Sequence, residues 1–188
     1  MLAELTDLWW LDWRGGSDTD LSWIGELRGL VFAQVWHSYK LTNVDFLARL
    51  PQLQGFMLHA LTRVSSLPSL AVASGLRTVE LSTLKSFTDL SGLAEAPNLK
   101  TLRIDGAMGG GAELVRPLVG HPSLTHFRWV SEIRVREAEA ANEVMGLERC
   151  RLGHRENWPF VGLTAGQQTT LDQMRRAIRF SSGSSAEP

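Results

Sequence analysis

The spacing of leucine constrains this chain more than any other feature. In Leu76–Ile104, LRTVELSTLKSFTDLSGLAEAPNLKTLRI, the residues Leu76, Val79 and Leu81 stand at i, i+3 and i+5. Leu99, Leu102 and Ile104 repeat that spacing, and Leu84, Phe87, Leu90 and Leu93 fill the interval at every third position. Alternate side chains of an extended segment face opposite ways, so the i+3 and i+5 residues share one face. A single unit of this size cannot bury that face alone. Stacked units can, and the stack makes a parallel sheet with a continuous core.

The unit recurs along most of the chain. Its first apolar slot falls at Leu5, Leu30, Leu53, Leu76, Leu99, Leu124 and Leu147, at intervals of 25, 23, 23, 23, 25 and 23 residues. The two inward slots hold Leu8/Trp10, Ala33/Val35, Phe56/Leu58, Val79/Leu81, Leu102/Ile104, Phe127/Trp129 and Cys150/Leu152. On these residues the chain resembles the leucine-rich repeat family, whose units read LxxLxLxxN and then a variable segment. The resemblance runs from about Leu5 to Trp158 and is to the short 22–23-residue-type repeats. It implies an α/β solenoid of about seven coils over residues 1–158. A parallel β-sheet would line its concave face, and short helices and turns its convex face. The position usually taken by Asn holds Trp13, Ser38, Leu61, Leu84, Ala107, Glu132 and Arg155, so irregular turns are expected there.

Three stretches depart from the bare repeat. Gly15–Asp18 and Gly106–Gly111 take up the extra residues of the two longer intervals, and exposed, mobile loops on one rim are expected at both. In the sixth unit, SEIRVREAEAANEVMG has the composition and the Val135, Ala138, Ala141, Val144 spacing of a real helix. After Leu152 the repeat decays. Thr164 with Gln167 three residues later is a capping-box start, and the helix from about Ala165 to Phe180 would present Leu171, Met174 and Ile178 on one face. That segment, residues 159–180, suits a cap on a solenoid's open end, and 181–188 is a polar tail expected to be disordered.

Charge and composition exclude several classes. With 19 basic and 20 acidic residues, no whole-molecule field points to nucleic acid or an anionic membrane. The balance is uneven, since residues 1–60 carry 7 acids and 4 bases, net −3, while residues 124–180 carry 7 acids and 9 arginines, net +2. No apolar run approaches the ~18 residues of a membrane helix, and the acidic N-terminus lacks the pattern of a signal peptide. Cys150 is the one cysteine, which fits a reducing compartment and a cytoplasmic protein. It occupies an inward slot, so a small core residue is expected there rather than a nucleophile.

The outward strand positions form the surface on which function is expected. The middle column reads Trp9, Gln34, Met57, Glu80, Arg103, Arg128, Arg151. The following column reads Leu11, Trp36, His59, Ser82, Asp105, Val130, Gly153, and the preceding one Asp7, Phe32, Gly55, Thr78, Thr101, His126, Arg149. The early coils would show Trp9, Phe32, Trp36, Met57 and His59 to solvent, and the late ones Arg103, Arg128, Arg149 and Arg151. Aromatics and arginine are enriched at interface hot spots. A non-enzymatic module that binds another protein through its concave face is therefore expected, as adaptor or as inhibitor or immunity-type protein. The bland alternative is that the aromatics shield the first coil and the arginines pair with Glu80 and Asp105. The Trp-rich N-terminal end could also self-associate.

Enzymatic signals are weak. LKTLRID-GAMGGG-AELVRPL reads strand, glycine loop, helix, which raises a small-ligand or nucleotide-dependent enzyme using Gly106–Gly111. The loop is neither GxGxxG nor GxxxxGK[ST], lacks the lysine, and is followed by Glu113. His37 and His59 lie on neighbouring coils, but no HxxxH or cysteine cluster supports a metal. No cofactor is implied, and neither GxSxG nor HExxH occurs. Arg175, Arg176 and Arg179 extend the late arginines, but the interleaved Glu137, Glu139, Glu143 and Glu148 fit a solvated helix better than a nucleic-acid surface.

Overall fold

A computed structural model describes residues 7–149 and 158–182. The chain forms two compact units, Met1–Arg151 and Leu152–Pro188. The first is α/β and is built on one six-stranded parallel sheet with its strands in sequence order. These are β1 (Trp10–Arg14), β2 (Phe32–Trp36), β3 (Gly55–His59), β4 (Thr78–Leu84), β5 (Thr101–Met108) and β6 (His126–Val130). Short segments return the chain from each strand to the next. They include 3-10 turns at Ser22–Glu26, Asp45–Arg49 and Gly111–Leu118, and the helices α1 (Ser91–Ala94) and α2 (Val135–Met145).

The core lies between the sheet and these return segments. Val79, Leu81, Leu84, Phe87, Leu90 and Leu93 are fully buried, as are their counterparts Leu58, Leu61, Val64 and Leu70. Each large aliphatic side chain so buried is worth about 1.5–3 kcal/mol, and every coil contributes several. The register follows the repeat from the second coil to the sixth: Phe32, Gly55, Thr78, Thr101 and His126 pair in succession. Adjacent coils are also tied before the strands, where the Gln54 N–H donates to the Val31 carbonyl, Arg77 to Gln54, and Lys100 to Arg77.

The first and last repeats slip against the expected alignment. Trp10 pairs with Phe32, Leu11 with Ala33 and Trp13 with Val35. The inward pair of the first coil is therefore Leu11 and Trp13, not Leu8 and Trp10, and Asp12 rather than Trp9 stands beside Gln34. The shift is three residues. It places Trp13 against the core with Leu8, Leu11 and Trp23, while Trp10 stacks on Phe32 at 4.2 Å. Trp9 precedes the strand, and its carbonyl accepts from both Val31 and Phe32 N–H. In the seventh unit His126 bridges to Glu148, so Arg149 leaves the column assigned to it by one residue. A one-residue slip reverses the face a side chain takes. Cys150, Arg151 and Gly153 lie outside the described residues.

Two ladders take the place of the missing asparagines. His37, Ala60 and Thr83 all have φ near +54°, and Gly106 follows at +75°. Each is the residue that succeeds the outward strand-end position. Within this row His37 N–H donates to the His59 carbonyl and Ala60 N–H to the Ser82 carbonyl, so the left-handed turn hands one backbone hydrogen bond to the next coil. A second row caps the return segments. Asp20 accepts from Ser22 N–H at 2.7 Å, Asn43 from Asp45 N–H at 3.3 Å and Asp89 from Ser91 N–H at 2.7 Å. Short acceptors two residues before a turn are what such local capping needs.

The glycine loop is corrected. Gly106, Ala107 and Met108 belong to β5, whose register shifts between Ser82 and Leu84 so that Leu84 pairs with Met108. Met108 is buried, and a Cβ on Gly109 would come within 2.7 Å of the Lys85 carbonyl oxygen. Gly106–Met108 is thus strand rather than rim loop, while Gly109 beyond it is exposed. Gly15 likewise continues the ladder by donating to the Trp36 carbonyl.

Helix α2 forms as its composition demands, with a different inner face. Ala138, Ala141 and Met145 are buried, whereas Val135 and Val144 are 46% and 55% exposed. Gly146 at φ 58° ends it. Asn142 turns its amide onto β6. Its Oδ1 accepts from Trp129 N–H at 3.0 Å, and its Nδ2 donates to the Trp129 carbonyl at 2.8 Å and to Ala138 at 2.7 Å.

In the second unit, α3 (Ala165–Ser182) starts at the capping box. Thr164 N–H donates to Gln167 Oε1 at 2.8 Å, and Gln167 N–H to Thr164 Oγ1 at 3.3 Å. Leu171 is buried and Met174 partly so; the Ile178 side chain and the tail 183–188 lie outside the described residues.

Candidate interaction face

Strand side chains that point away from the core divide into a buried centre and a partly exposed end. Phe32 and Gln34 are 0% exposed, Met57 is 7% and Glu80 is 9%. The expectation that Phe32 and Met57 face solvent is therefore corrected. Phe32 is shielded in part by the Trp10 ring stacked on it. Thr78 and Ser82 are buried as well. Trp36 and His59 remain partly exposed at the C-terminal ends of β2 and β3.

Those two residues anchor a compact aromatic group. The Trp36 and His59 rings lie 4.6 Å apart, His37 and His59 5.1 Å, and Trp36 and His37 6.1 Å at an interplanar angle of 18°. Tyr39 closes the group, its hydroxyl sharing a 2.6 Å hydrogen bond with His37 Nδ1. From the neighbouring strand the Arg14 guanidinium sits over the Trp36 ring at 5.5 Å and pairs with Asp12 at 3.1 Å. The left-handed backbone at His37 is what turns its ring back toward the strand end and into contact with Trp36 and His59. Burial pushes the His59 imidazole below its ordinary pKa; a charge on His37 adds to that shift and Asp105 opposes it. His59 is thereby biased to its neutral form, and the group presents flat aromatic faces rimmed by one guanidinium.

The arginine end is assembled differently. Glu80, Arg103 and Arg128 stand in one row across β4, β5 and β6. Arg103 donates to Asp105 at 3.0 Å. Arg128 has no ion pair among the described residues. Arg149 is exposed and lines the same cavity as Arg128, between β6 and α2. Of the nine residues expected to bind a partner, Trp36 and His59 meet in one cluster, Arg128 and Arg149 in another, and Arg103 lies between them. Trp9 falls before the first strand, and Arg151 lies outside the described residues. Arg14 and Tyr39 were not legible as members, because the first depended on the three-residue slip and the second sits after the strand.

The Gly110 N–H is donated to the Phe87 carbonyl at 2.9 Å, and Glu113 pairs with Arg116. Among the described residues, no three His, Cys, Asp or Glu side chains are grouped as metal ligands. Nor, among those residues, is any helix long and apolar enough to cross a membrane. A scan against models of known protein families and a comparison with curated proteins both find no match.

Proposed function

We propose that this chain is a leucine-rich-repeat-type solenoid, non-enzymatic, that binds a partner protein. The docking surface is the partly exposed strand-end edge of the concave face rather than its centre. The observation that carries this reading is the Trp36–His37–Tyr39–His59 group with Arg14 against it. Clustered aromatics beside arginine, held rigid by a strand end, have the composition of an interface hot spot. The nearly constant repeat and the sequential parallel strands support the solenoid assignment.

Size limits how the partner is held. Six strands spaced about 4.8 Å apart span roughly 24 Å, and the middle of that strip is buried. The edge alone falls short of the ~800 Å² per partner of a standard interface. A stable partner therefore also grips the rim that carries Tyr39 and Arg14. With Cys150 as its one cysteine, the protein suits a reducing, cytoplasmic setting.

Affinity capture tests the reading, with immobilised wild-type protein compared with Trp36→Ala in lysate of the native source. Recovery of a protein lost only with Trp36→Ala supports it, and identical recovery from both contradicts it.

A further inference from the structure

A second site lies apart from the aromatic group and stands independently of the partner reading. β6 and α2 flank an open cavity of about 220 Å³. Arg128, Arg149, Val130, Val135, Ala138 and Ser131 are among the residues that line it, and Arg128 and Val130, two apart on β6, share one face of the strand. Drug-sized ligands occupy about 300–1,000 Å³, so this cavity fits a single small group.

Its chemistry favours an anion. Among the described residues neither Arg128 nor Arg149 has an ion pair, and Arg128 stands directly beside Arg103 on the neighbouring strand. Like charges in register repel, and Arg103 offsets its own charge against Asp105. The surplus positive charge is left at Arg128. Ser131 Oγ accepts from Arg134 N–H at 2.9 Å, which leaves the hydroxyl hydrogen to donate elsewhere. Asn142, which also lines the cavity, is held in place because it spends its amide on Trp129 and Ala138. Glu139 also lines the cavity but forms no ion pair with either arginine, and its negative charge disfavours multiply charged anions.

We propose that this cavity is a carboxylate-binding site in which Arg128 and Arg149 supply the donors and the valines and Ala138 pack the carbon chain behind the carboxylate. A guanidinium offers two parallel N–H donors that match a carboxylate's two oxygens. The carboxylate belongs either to an acidic side chain of a protein or to a free small acid.

Titration calorimetry on the full chain at low salt tests this with three probes: butyrate, an amidated hexapeptide carrying one glutamate, and inorganic phosphate. At least one carboxylate probe is expected to bind saturably. Arg128→Gln and Arg149→Gln should each weaken it roughly ten- to hundredfold, and Glu139→Gln should tighten it. Arg136→Gln, on the exposed side of α2, should leave it unchanged. Tighter binding of the peptide assigns the site to a protein side chain, and tighter binding of butyrate to a free acid; both support a carboxylate site. The proposal is overturned if neither carboxylate saturates, if phosphate binds more tightly than both, or if Arg136→Gln costs as much as Arg128→Gln. Thermal unfolding of Arg128→Gln and Arg149→Gln with midpoints close to wild type separates lost binding from lost folding.

Discussion

His59 shows how one residue's surroundings set a measurable property. Its ring has lost water and faces His37, so its folded pKa is depressed below the ordinary value of about 6.5. The unfolded chain then binds the proton more readily than the folded one as pH falls. Stability from this group is complete above the unfolded pKa and is lost as pH drops through it toward the folded value. Denaturant midpoints should therefore decline from pH 7.5 to pH 5.5, more steeply in wild type than in His59→Gln; equal slopes would contradict the assignment. Gly106 is a second residue-scale test. At φ +75°, with a built Cβ 2.8 Å from Thr83 Oγ1, Gly106→Ala should cost about 1–2 kcal/mol in equilibrium unfolding. Neither property is legible in the sequence. The row His37, Ala60, Thr83, Gly106 shares a backbone conformation but no side-chain chemistry, and only its last member is the residue type that announces a positive φ.

At the scale of elements, edges and close approaches decide stability. Asn142 offers β6 an acceptor and a donor where a further strand would otherwise supply them, and it ties the strand to α2 through Trp129. Asn142→Ala leaves those backbone groups without their partner, at a cost of about 1–3 kcal/mol. The Trp129 amide should lose hydrogen-exchange protection in the same variant, and retained protection would show that the bracket is dispensable. Helix α1 depends on Gly92, where a Cβ would collide with the Pro68 carbonyl oxygen and come within 2.6 Å of the Leu67 oxygen. Gly92→Ala should lower stability by about 1–3 kcal/mol in a denaturant titration. The existence of α2 and the start of α3 were readable, because a helical composition and a Thr–Gln capping pair are local signals. The inner face of α2 was not. Valine spacing marked one stripe, but packing against β6 needed small Ala138 and Ala141 and placed Asn142 beside Trp129.

For the whole molecule, the repeat made the sheet, its strand order and most of its register legible from leucine positions alone. It failed at both ends for the same reason. A repeat is aligned by its neighbours, and β1 and β6, at the two ends of the described strand order, each pair with one strand of that sheet. Leu5, Leu8 and Trp10 satisfy the apolar template, yet Leu8, Leu11 and Trp13 satisfy it equally well and also seat Trp13 against Trp23 at 5.3 Å. Trp13→Ala should consequently destabilise the fold by more than Trp10→Ala, and the reverse order in thermal unfolding would restore the alternative alignment. The same limitation applied to the face. Periodicity says which side chains point away from the core, but not that Phe32, Gln34, Met57 and Glu80 are buried there. The proposed docking surface is thereby placed at the strand ends, and the proposed carboxylate site in the cavity beside α2. The most direct test is quantitative capture by wild type, Trp36→Ala and Arg63→Ala, the last an exposed residue outside the proposed surface. A partner held by wild type and Arg63→Ala but released at least tenfold by Trp36→Ala is the predicted result. A partner held equally by all three, or released equally by both variants, would contradict docking at the strand-end edge.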